Sequence, residues 1–486
     1  MKRATILLLL ALPFWAAAQS PKGGNASQSA EYQKLKFEQF FDYLNARYVD
    51  TLNNETLVEE AITGILSALD PHSSYSSAEE MKSITESFDG SFSGIGVEFD
   101  VINDTIIVVN TVAGGPAESV GILPNDRIVS VDGKSSVGVS RADVPKLLRG
   151  PKRSRVQLGI ERRGEPDDLI FNVTRDDIPI HTIDAAYMAA PGIGYIRVNR
   201  FAGTTMQEFR QSFDGLGPLS ALILDLRGNG GGEVNAAIQS TACFTGAGVL
   251  AWLRDSGGRY QGYGAEEAAR TDSPVILLTD SETASASELF AAGVRDTGAG
   301  LIIGERTFGK GVGQNVFDQT SYPLLFAEGD AIKITAFRFF SPGGSTTDTI
   351  GVIPHLLVAP GHAAAVARLL SSPAPEGDNR GMLRIDFGRS WYVDLEQALS
   401  EDYRAAFRAL LEALPSAVRV FQGSGADWNT ISPADLAARC GLEAYQRRGF
   451  SDTAQSRFAA QIDALAACGV VQGSGDGFFR PFDTLT

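Results

Sequence analysis

The sequence is poor in the residue types that several classes of site require. Its 486 residues include only four histidines and three cysteines, and no His, Cys, Asp and Glu cluster has the spacing of a metal site. We therefore expect neither a metal nor a cofactor. No lysine or arginine run occurs and the formal net charge is −16, which argues against nucleic-acid binding. No apolar run beyond the N-terminus is long enough to span a membrane.

The N-terminus is typical of a secretory signal peptide. A basic MKR start precedes a short apolar stretch and the small residues AAAQ, so cleavage is predicted after Ala18. We expect a bacterial protein that is exported to the periplasm, the cell envelope or the extracellular space. The alternative is that the segment stays uncleaved as a signal anchor. Cys440 and Cys468 could pair in an oxidising compartment, whereas Cys243 is predicted to be a buried apolar residue.

Two short segments carry the strongest chemical signal. TASASE at 283–288 offers Ser285 as a nucleophile, and FGKGVGQ at 308–314 offers Lys310 as its base. A serine hydroxyl needs a base to remove its proton, and a lysine can serve if burial lowers its pKa. A helix N-cap and a surface turn are the simpler interpretations of the two segments taken singly. None of the histidines lies in a comparable small-residue frame, which favours a Ser-Lys dyad over a Ser-His-Asp triad.

A glycine-rich turn lies upstream of both segments. LSALILDLRGNGGG at 219–232 reads as a buried strand that enters the turn, and a helix is predicted at 233–244. The turn lacks the Gly-Lys-Ser/Thr of a nucleotide P-loop. It could instead present an N–H to a developing oxyanion, with Gly231 and Ala286 as the two donors. Ser285 itself is predicted where a strand at 274–280 passes into a helix at 288–296.

These three segments resemble the C-terminal processing peptidases, or tail-specific proteases, which show DLRxNPGG, SASASE and FGKGxxQ in this order. The resemblance implies Ser285 as the nucleophile, Lys310 as the general base and Gln314 as the residue that orients it. It also implies an oxyanion hole at Gly231 and Ala286, and a glycine turn braced by Asp225 and Arg227. The chain departs from the pattern at Gly230, where the family usually has proline.

The segment before the core resembles a PDZ domain. GIGV, residues Gly94, Ile95, Gly96 and Val97, matches the loop whose amides bind a terminal carboxylate. An edge strand beside such a loop can accept an extended peptide, so substrate tails are the expected ligands. A PDZ domain that only packs is the alternative.

Two further segments match the family in part. TGILSALDPHSSY at 63–75 resembles its LDPxSxY segment, and His72 is expected to be solvent-facing or locally bonded. GVIPHLLVAP at 351–360 carries His355 where the family has an acid, so any structural partner of that acid must differ here.

The resemblance implies an α/β fold: a crotonase-like α/β peptidase core with an inserted β-rich PDZ domain and helical N- and C-terminal segments. The predicted boundaries are 1–18 for the signal peptide, 19–88 for a linker and helical region, 89–176 for the PDZ-like domain, 177–370 for the peptidase core, 371–449 for a linker and helical region, and 450–486 for a partial repeat. That repeat resembles one S-layer homology repeat and could contact a cell-envelope polymer. The N-terminal helices could serve as caps or as contacts in a homodimer.

Three functions are compatible with these patterns. The first is a serine endopeptidase that uses a Ser-Lys dyad to cleave exported proteins, recognising their C-terminal tails through the PDZ domain. The second is a binding scaffold, a PDZ domain on an inactive core, which the joint presence of serine, lysine and glutamine disfavours. The third is a crotonase-like acyl-thioester enzyme, which an export signal disfavours.

Overall fold

The structure is a computed structural model. It describes residues 29–266, 273–322, 329–415, 418–442, 445, 453, 456–467, 471 and 479. The predicted signal peptide, Cys468 and most of the predicted S-layer repeat lie outside these residues. Within them, no helix is both long and apolar enough to cross a membrane.

The chain divides into two compact units, residues 1–69 and 70–486. The described part of the first unit contains two helices, α1 (Ala30–Arg47) and α2 (Asn54–Leu69). The Ser29 side chain caps α1 by accepting a hydrogen bond from the Tyr32 N–H.

The second unit begins with a β-rich region. Its elements are β1 (Ser74–Ser76), α3 (Ala78–Asp89), β2 (Ser91–Gly94), β3 (Val97–Ile102), β4 (Thr105–Thr111), α4 (Pro116–Ser119), β5 (Arg127–Val131), β6 (Lys134–Ser135), α5 (Val144–Leu148), β7 (Arg155–Glu161), β8 (Leu169–Thr174) and β9 (Asp176–Pro179). Strands β3, β4, β5, β7 and β8 form one antiparallel sheet in that order, with β6 paired to β5. Alternate residues such as Ile106, Val108, Leu158 and Ile160 are fully buried in its core.

The central region alternates strands and helices. It contains β10 (Ile183–Ala190), β11 (Ile193–Val198), α6 (Thr205–Gly215), β12 (Ala221–Asp225), α7 (Val234–Thr245), β13 (Gly248–Arg254), β14 (Tyr260–Ala265), β15 (Val275–Thr279), α8 (Ala286–Asp296), β16 (Gly300–Gly304), β17 (Val312–Asp318), β18 (Ala331–Phe340), β19 (Leu356–Leu357) and α9 (Pro360–Leu370). The strands at 274–280 and 219–225 and the helices at 233–244 and 288–296 were thus predicted correctly to within a few residues.

The central sheet has the order β10-β11-β12-β15-β16-β19 and is parallel from β11 to β19. Successive side chains of a strand point to opposite faces. Leu222 and Leu224 therefore pack towards α7 and α8, while Ile223 packs towards α9. Burial on both faces explains why these strands are continuous apolar runs rather than alternating ones.

A second, antiparallel sheet adjoins this core. Its order is β1-β18-β13-β14, and β17 also pairs with β18. Its buried residues Leu250, Leu253 and Phe339 pack with Ile238 of α7 and Leu289 of α8. Strand β18 thereby lies beside α8, the helix that Ser285 caps.

The prediction of a linker and helical region at 371–449 is incomplete. The region contains β20 (Met382–Phe387), β21 (Arg389–Asp394), α10 (Leu395–Leu399), α11 (Arg404–Ala413), β22 (Arg419–Gly423), β23 (Trp428–Thr430) and α12 (Pro433–Arg439), followed by α13 (Ala459–Ala467). Four strands form an antiparallel sheet in the order β21-β20-β22-β23. Leu383, Ile385 and Val393 pack into the same cluster as α9, so this region extends the core.

Candidate active site

Three loops meet at one edge of the central sheet. Strands β12, β15 and β16 are adjacent and parallel, with Leu224 beside Leu277 and Leu278 beside Ile303. Their carboxyl ends therefore open on the same edge, where open α/β sheets usually place their sites. The glycine-rich turn, the TASASE segment and the FGKGVGQ segment follow these three strands in turn.

Ser285 occupies a strained position at the start of α8. It is the N-cap residue, with φ 57° and ψ −118°, a region that a non-glycine residue enters at a cost of about 1–3 kcal/mol. A sharp turn of this kind at a strand-to-helix junction projects a hydroxyl clear of the sheet. The next residue, Ala286, opens the helix, so its N–H is one of those that the helix does not satisfy.

The glycine-rich turn lies directly against this serine. A Cβ at Gly231 would come within 2.7 Å of the Ala284 oxygen and 2.9 Å of the Ala286 nitrogen, and φ at Gly231 is +100°. Only glycine fits both constraints. The Ala284 N–H donates to the Asn229 carbonyl at 3.0 Å, which fixes the two loops together.

One predicted oxyanion donor is engaged within its own turn. The Gly231 N–H donates to the Asn229 side-chain oxygen at 2.9 Å. Asn229 is fully buried, and its amide nitrogen donates to the Val198 carbonyl at 2.9 Å. The Gly231 N–H must turn away from Asn229 before it can serve a substrate.

Glu288 links the serine and lysine segments. Its fully buried carboxylate accepts the N–H of Ser285 at 2.8 Å, the Thr307 hydroxyl at 2.6 Å, and the N–H groups of Gly309 at 2.7 Å and Lys310 at 2.8 Å. Burial raises the pKa of the Glu288 carboxyl, and these four hydrogen bonds act in the opposite direction because they favour the ionised form. No role for Glu288 was predicted from the sequence.

Lys310 is partly buried in the same loop system. Burial and then the positive charge of Lys333 lower the pKa of the Lys310 ammonium, while Glu288 and Asp70 act in the opposite direction. His72 also faces this lysine, and burial followed by the Lys310 charge lowers the pKa of its imidazole. A lysine with a lowered pKa is closer to the neutral form that a general base requires.

Gln314 belongs to a hydrogen-bond chain that reaches the LDPHSSY segment. Its amide nitrogen donates to the Thr335 hydroxyl at 3.2 Å, and that hydroxyl donates to Asp70 at 3.2 Å. Asp70 also accepts the N–H of His72 at 2.7 Å and the hydroxyl of Ser73 at 2.8 Å. His72 is half-buried and locally bonded through its backbone, one of the two environments expected for it.

These residues surround one cavity. Ser285, Lys310, Gln314 and Gly231 all line a pocket of about 850 Å³. Its other walls are formed by α3, by the segment after β11, and by β13, β14, β17 and β18. The remaining lining residues are Ile84, Ser87, Phe88, Asn199, Arg200, Phe201, Gly228, Gly230, Gly232, Glu233, Val234, Leu253, Tyr263, Val312, Gly313, Val316, Lys333, Phe337 and Phe339.

The predicted tail-binding residues do not line this pocket. Gly94 ends β2, Ile95 and Gly96 form the connecting loop, and Val97 begins β3. The carbonyls of Ile95 and Gly96 accept N–H groups from Ala117 and Val112 at 2.9 Å each. The structure thus places Gly94 in the β2–β9 pair and Val97 at the start of the six-stranded sheet that contains β3, with Ile95 and Gly96 between them.

The two residues predicted to brace the glycine turn are bonded to each other. Arg227 donates to Asp225 at 2.6 Å, and Tyr195 donates to the same carboxylate at 2.7 Å. Burial acts to raise the pKa of Asp225, but the hydrogen bonds from Arg227 and Tyr195 outweigh it and lower the pKa. Arg227 also donates to the Pro360 carbonyl at 3.3 Å, which joins the turn to α9.

His355 supplies a neutral acceptor at its unusual position. Its Nδ1 accepts the Ile302 N–H at 2.9 Å, and its ring meets Phe387 edge-on at 5.4 Å between centroids. Burial lowers the pKa of His355 to about 4. The partner of this side chain is thus a backbone amide of β16.

Three family models match the chain. Peptidase family S41 matches residues 192–358, the PDZ domain matches 107–162, and the activating protease CtpB N-terminal domain matches 15–80. The S41 match spans the glycine-rich turn, Ser285 and Lys310.

Curated relatives agree over most of the chain. A carboxy-terminal-processing protease of Bartonella bacilliformis is 32% identical over 345 residues, which are 69% of this chain and 77% of that protein. The chain belongs to the carboxy-terminal processing protease family. The carboxy-terminal processing protease CtpB of Bacillus subtilis is 30% identical over 70% of this chain and 71% of its own.

A solved structure of a photosystem II D1 C-terminal processing protease is 28% identical, covers 71% of this chain and 98% of its own, and superposes with a TM-score of 0.40. For this carboxy-terminal processing protease, the matches support an S41 peptidase fold with a PDZ domain.

Proposed function

We propose that this chain is a serine endopeptidase in which Ser285 is the nucleophile and Lys310 the general base. The observation that carries the proposal is the shared acceptor Glu288, which holds the backbone of both residues at the pocket wall. Neutral Lys310 takes the hydroxyl proton as the Ser285 oxygen attacks a peptide carbonyl. The lysine then gives that proton to the leaving amine, and water releases the acyl group.

Two further groups complete the proposed machinery. The oxyanion donors are the N–H groups of Ala286 and Gly231. The Gly231 N–H can serve once it turns away from Asn229. Gln314 uses its amide nitrogen on Thr335, which leaves its oxygen to accept from the Lys310 amine. Gln314 would then orient the base, and Asp70 would hold Gln314 in turn.

We further propose that the PDZ domain selects the substrate by its C-terminal tail. The loop Gly94–Val97 supplies amides for the terminal carboxylate, and β3 offers an edge for an added strand. Exported proteins are the proposed substrates, because the N-terminus has the pattern of a signal peptide. A homodimer and contact with an envelope polymer remain predictions from the sequence.

The experiment is degradation of casein, and of a peptide with a free apolar tail, by four proteins. Wild type should cleave both, and Ser285→Ala and Lys310→Ala should be inactive. Ser287→Ala is a matched control, because Ser287 is buried two residues away with a hydroxyl that has no partner among the described residues. If wild type and the Lys310 variant are equally inactive but still bind the peptide tail, the result favours the binding scaffold.

A further inference from the structure

Lys333 is a second lysine in the active-site pocket. It lies in β18, opposite Val316 of β17 and Ser74 of β1, and it is half-buried. Phe337, four residues further along β18 and past a register shift between Gly313 and Gln314 of β17, lines the same pocket. Among the described residues, the Lys333 amine makes no ion pair or hydrogen bond.

The pocket wall carries more positive than negative charge. Apart from the proposed base Lys310, which acts in its neutral form, the lining has two basic residues, Arg200 and Lys333, and one acidic residue, Glu233. The Glu233 carboxylate is engaged as the N-cap of α7, where it accepts the N–H groups of Asn235 and Ala236. A chain with a net charge of −16 thus presents a cationic cavity, which favours an anionic group on the ligand.

The apolar part of the wall makes this charge more effective. Val316, Phe337 and Phe339 line the same pocket as Lys333. A half-buried ammonium without a partner has lost part of its hydration. A ligand carboxylate that entered the pocket would replace that hydration with a charge-assisted hydrogen bond.

We propose that Lys333 binds a carboxylate of the substrate beside the scissile bond. The proposal rests on the endopeptidase function argued above and adds a specificity determinant to it. The carboxylate belongs to an Asp or Glu side chain or to the free end of the chain. Lys333 and Ser285 share one pocket, so the carboxylate must lie within a few residues of the bond that is cut.

The test uses peptides that differ only in one carboxylate. One series has an amidated C-terminus and exchanges Asn for Asp at each of the positions flanking the cleaved bond. A second series is neutral and compares a free acid with an amide at increasing distance from that bond. For each pair we compare kcat/KM of the peptide with the carboxylate to kcat/KM of the peptide without it. The measurements are made at a pH above the acid limb, where a change in the pKa of Lys310 no longer affects the rate.

Wild type should prefer the carboxylate at one position by about 10-fold or more. Lys333→Met and Lys333→Gln should lose this preference, and Lys333→Arg should keep most of it. Lys134→Met removes an exposed lysine of β6 and should keep it in full. Preference in the first series identifies a side-chain carboxylate, and preference in the second identifies a chain end.

Binding in a Ser285→Ala background separates this inference from the proposed function. Fluorescence anisotropy with the amidated pairs reports carboxylate recognition without turnover. If binding depends on the carboxylate and Lys333→Met abolishes that dependence, the role of Lys333 is supported even if no peptide is cut. A wild type without carboxylate preference in either assay, or a preference that survives in Lys333→Met, overturns it.

Discussion

Ser285 and Lys310 donate their backbone amides to the same atom, Oε2 of Glu288, each at 2.8 Å. Their nitrogens therefore lie within twice 2.8 Å, or 5.6 Å, of each other. One buried carboxylate thus sets the spacing of two segments that come from different strands of the sheet. Its other oxygen accepts from Thr307 and Gly309, so the lysine loop has little freedom to drift from the serine.

Replacing this carboxylate should weaken both the fold and the activity. Glu288→Gln turns an acceptor into a donor that faces N–H groups, and at least one buried amide loses its partner. We expect the free energy of unfolding to fall by about 3 kcal/mol and kcat/KM to fall more than 10-fold. Denaturant unfolding and peptide cleavage measure these effects. Glu282→Gln, an exposed change in the same loop, should alter neither.

The pH profile should report the environment of Lys310. Activity requires the neutral amine, so it should rise with pH through the lowered pKa of Lys310. The titratable groups that face this amine are Lys333, Glu288, Asp70 and His72. Lys333→Gln removes a like charge and should move the acid limb of kcat/KM to higher pH. Glu288→Gln removes an opposite charge and should move the limb to lower pH. If the acid limb of kcat/KM moves in neither variant, the group that titrates is not Lys310.

Adjacent glycines in the turn should respond in opposite ways. At Gly231 a Cβ would collide with backbone at 2.7 Å and 2.9 Å, and φ is +100°, whereas a Cβ at Gly230 would meet nothing within 4 Å. Gly231→Ala should therefore abolish cleavage and lower the melting temperature. Gly230→Ala should retain activity and stabilise the protein by about 0.4–1 kcal/mol. Equal effects of the two variants on cleavage would contradict the close approach of Gly231 to Ser285.

His355 should make the protein less stable in mild acid. The pKa of His355 is about 4 in the folded protein against an ordinary value of 6.5. Between pH 6.5 and pH 4, the imidazole is therefore protonated in the unfolded chain but neutral in the folded one. The free energy of unfolding should fall as the pH drops from 6.5 to 4, by up to about 3 kcal/mol from this residue.

His355→Asn can still accept from the Ile302 N–H but cannot titrate in this range. Urea unfolding at pH 7 and at pH 5 should show a smaller decrease for the variant than for wild type. If the free energy of unfolding decreases equally in both proteins between pH 7 and pH 5, folding does not lower the pKa of His355.

The sequence was sufficient to predict the strands and helices around Ser285. The buried strands at 221–225 and 275–279 are uninterrupted apolar runs, and glycine or small residues mark their ends. The role of Glu288 was missed, although a serine followed three residues later by glutamate is the pattern of a capping box. That pattern indicates the bond to the Ser285 N–H but not the bonds to Thr307, Gly309 and Lys310, which depend on tertiary contact.

The sheet at 382–430 was missed for a different reason. The stretch 394–414 has the apolar spacing of a helix, and the structure has two helices there, α10 and α11, separated by residues 400–403. The alternation of apolar and charged residues in LRIDF at 383–387 was the available strand signal. Its partners β21 and β22 could not be chosen from the sequence, because pairing depends on how the sheet packs against α9.

The central claim is that Lys310 activates Ser285, and covalent labelling with a fluorophosphonate tests it most directly. Mass spectrometry of the wild-type protein should show one adduct, located on Ser285. The adduct should be absent from Ser285→Ala, unchanged in Ser287→Ala and formed at least 100-fold more slowly in Lys310→Met. Labelling of Ser285 at an undiminished rate in Lys310→Met, or a dominant adduct on another residue, would contradict the account.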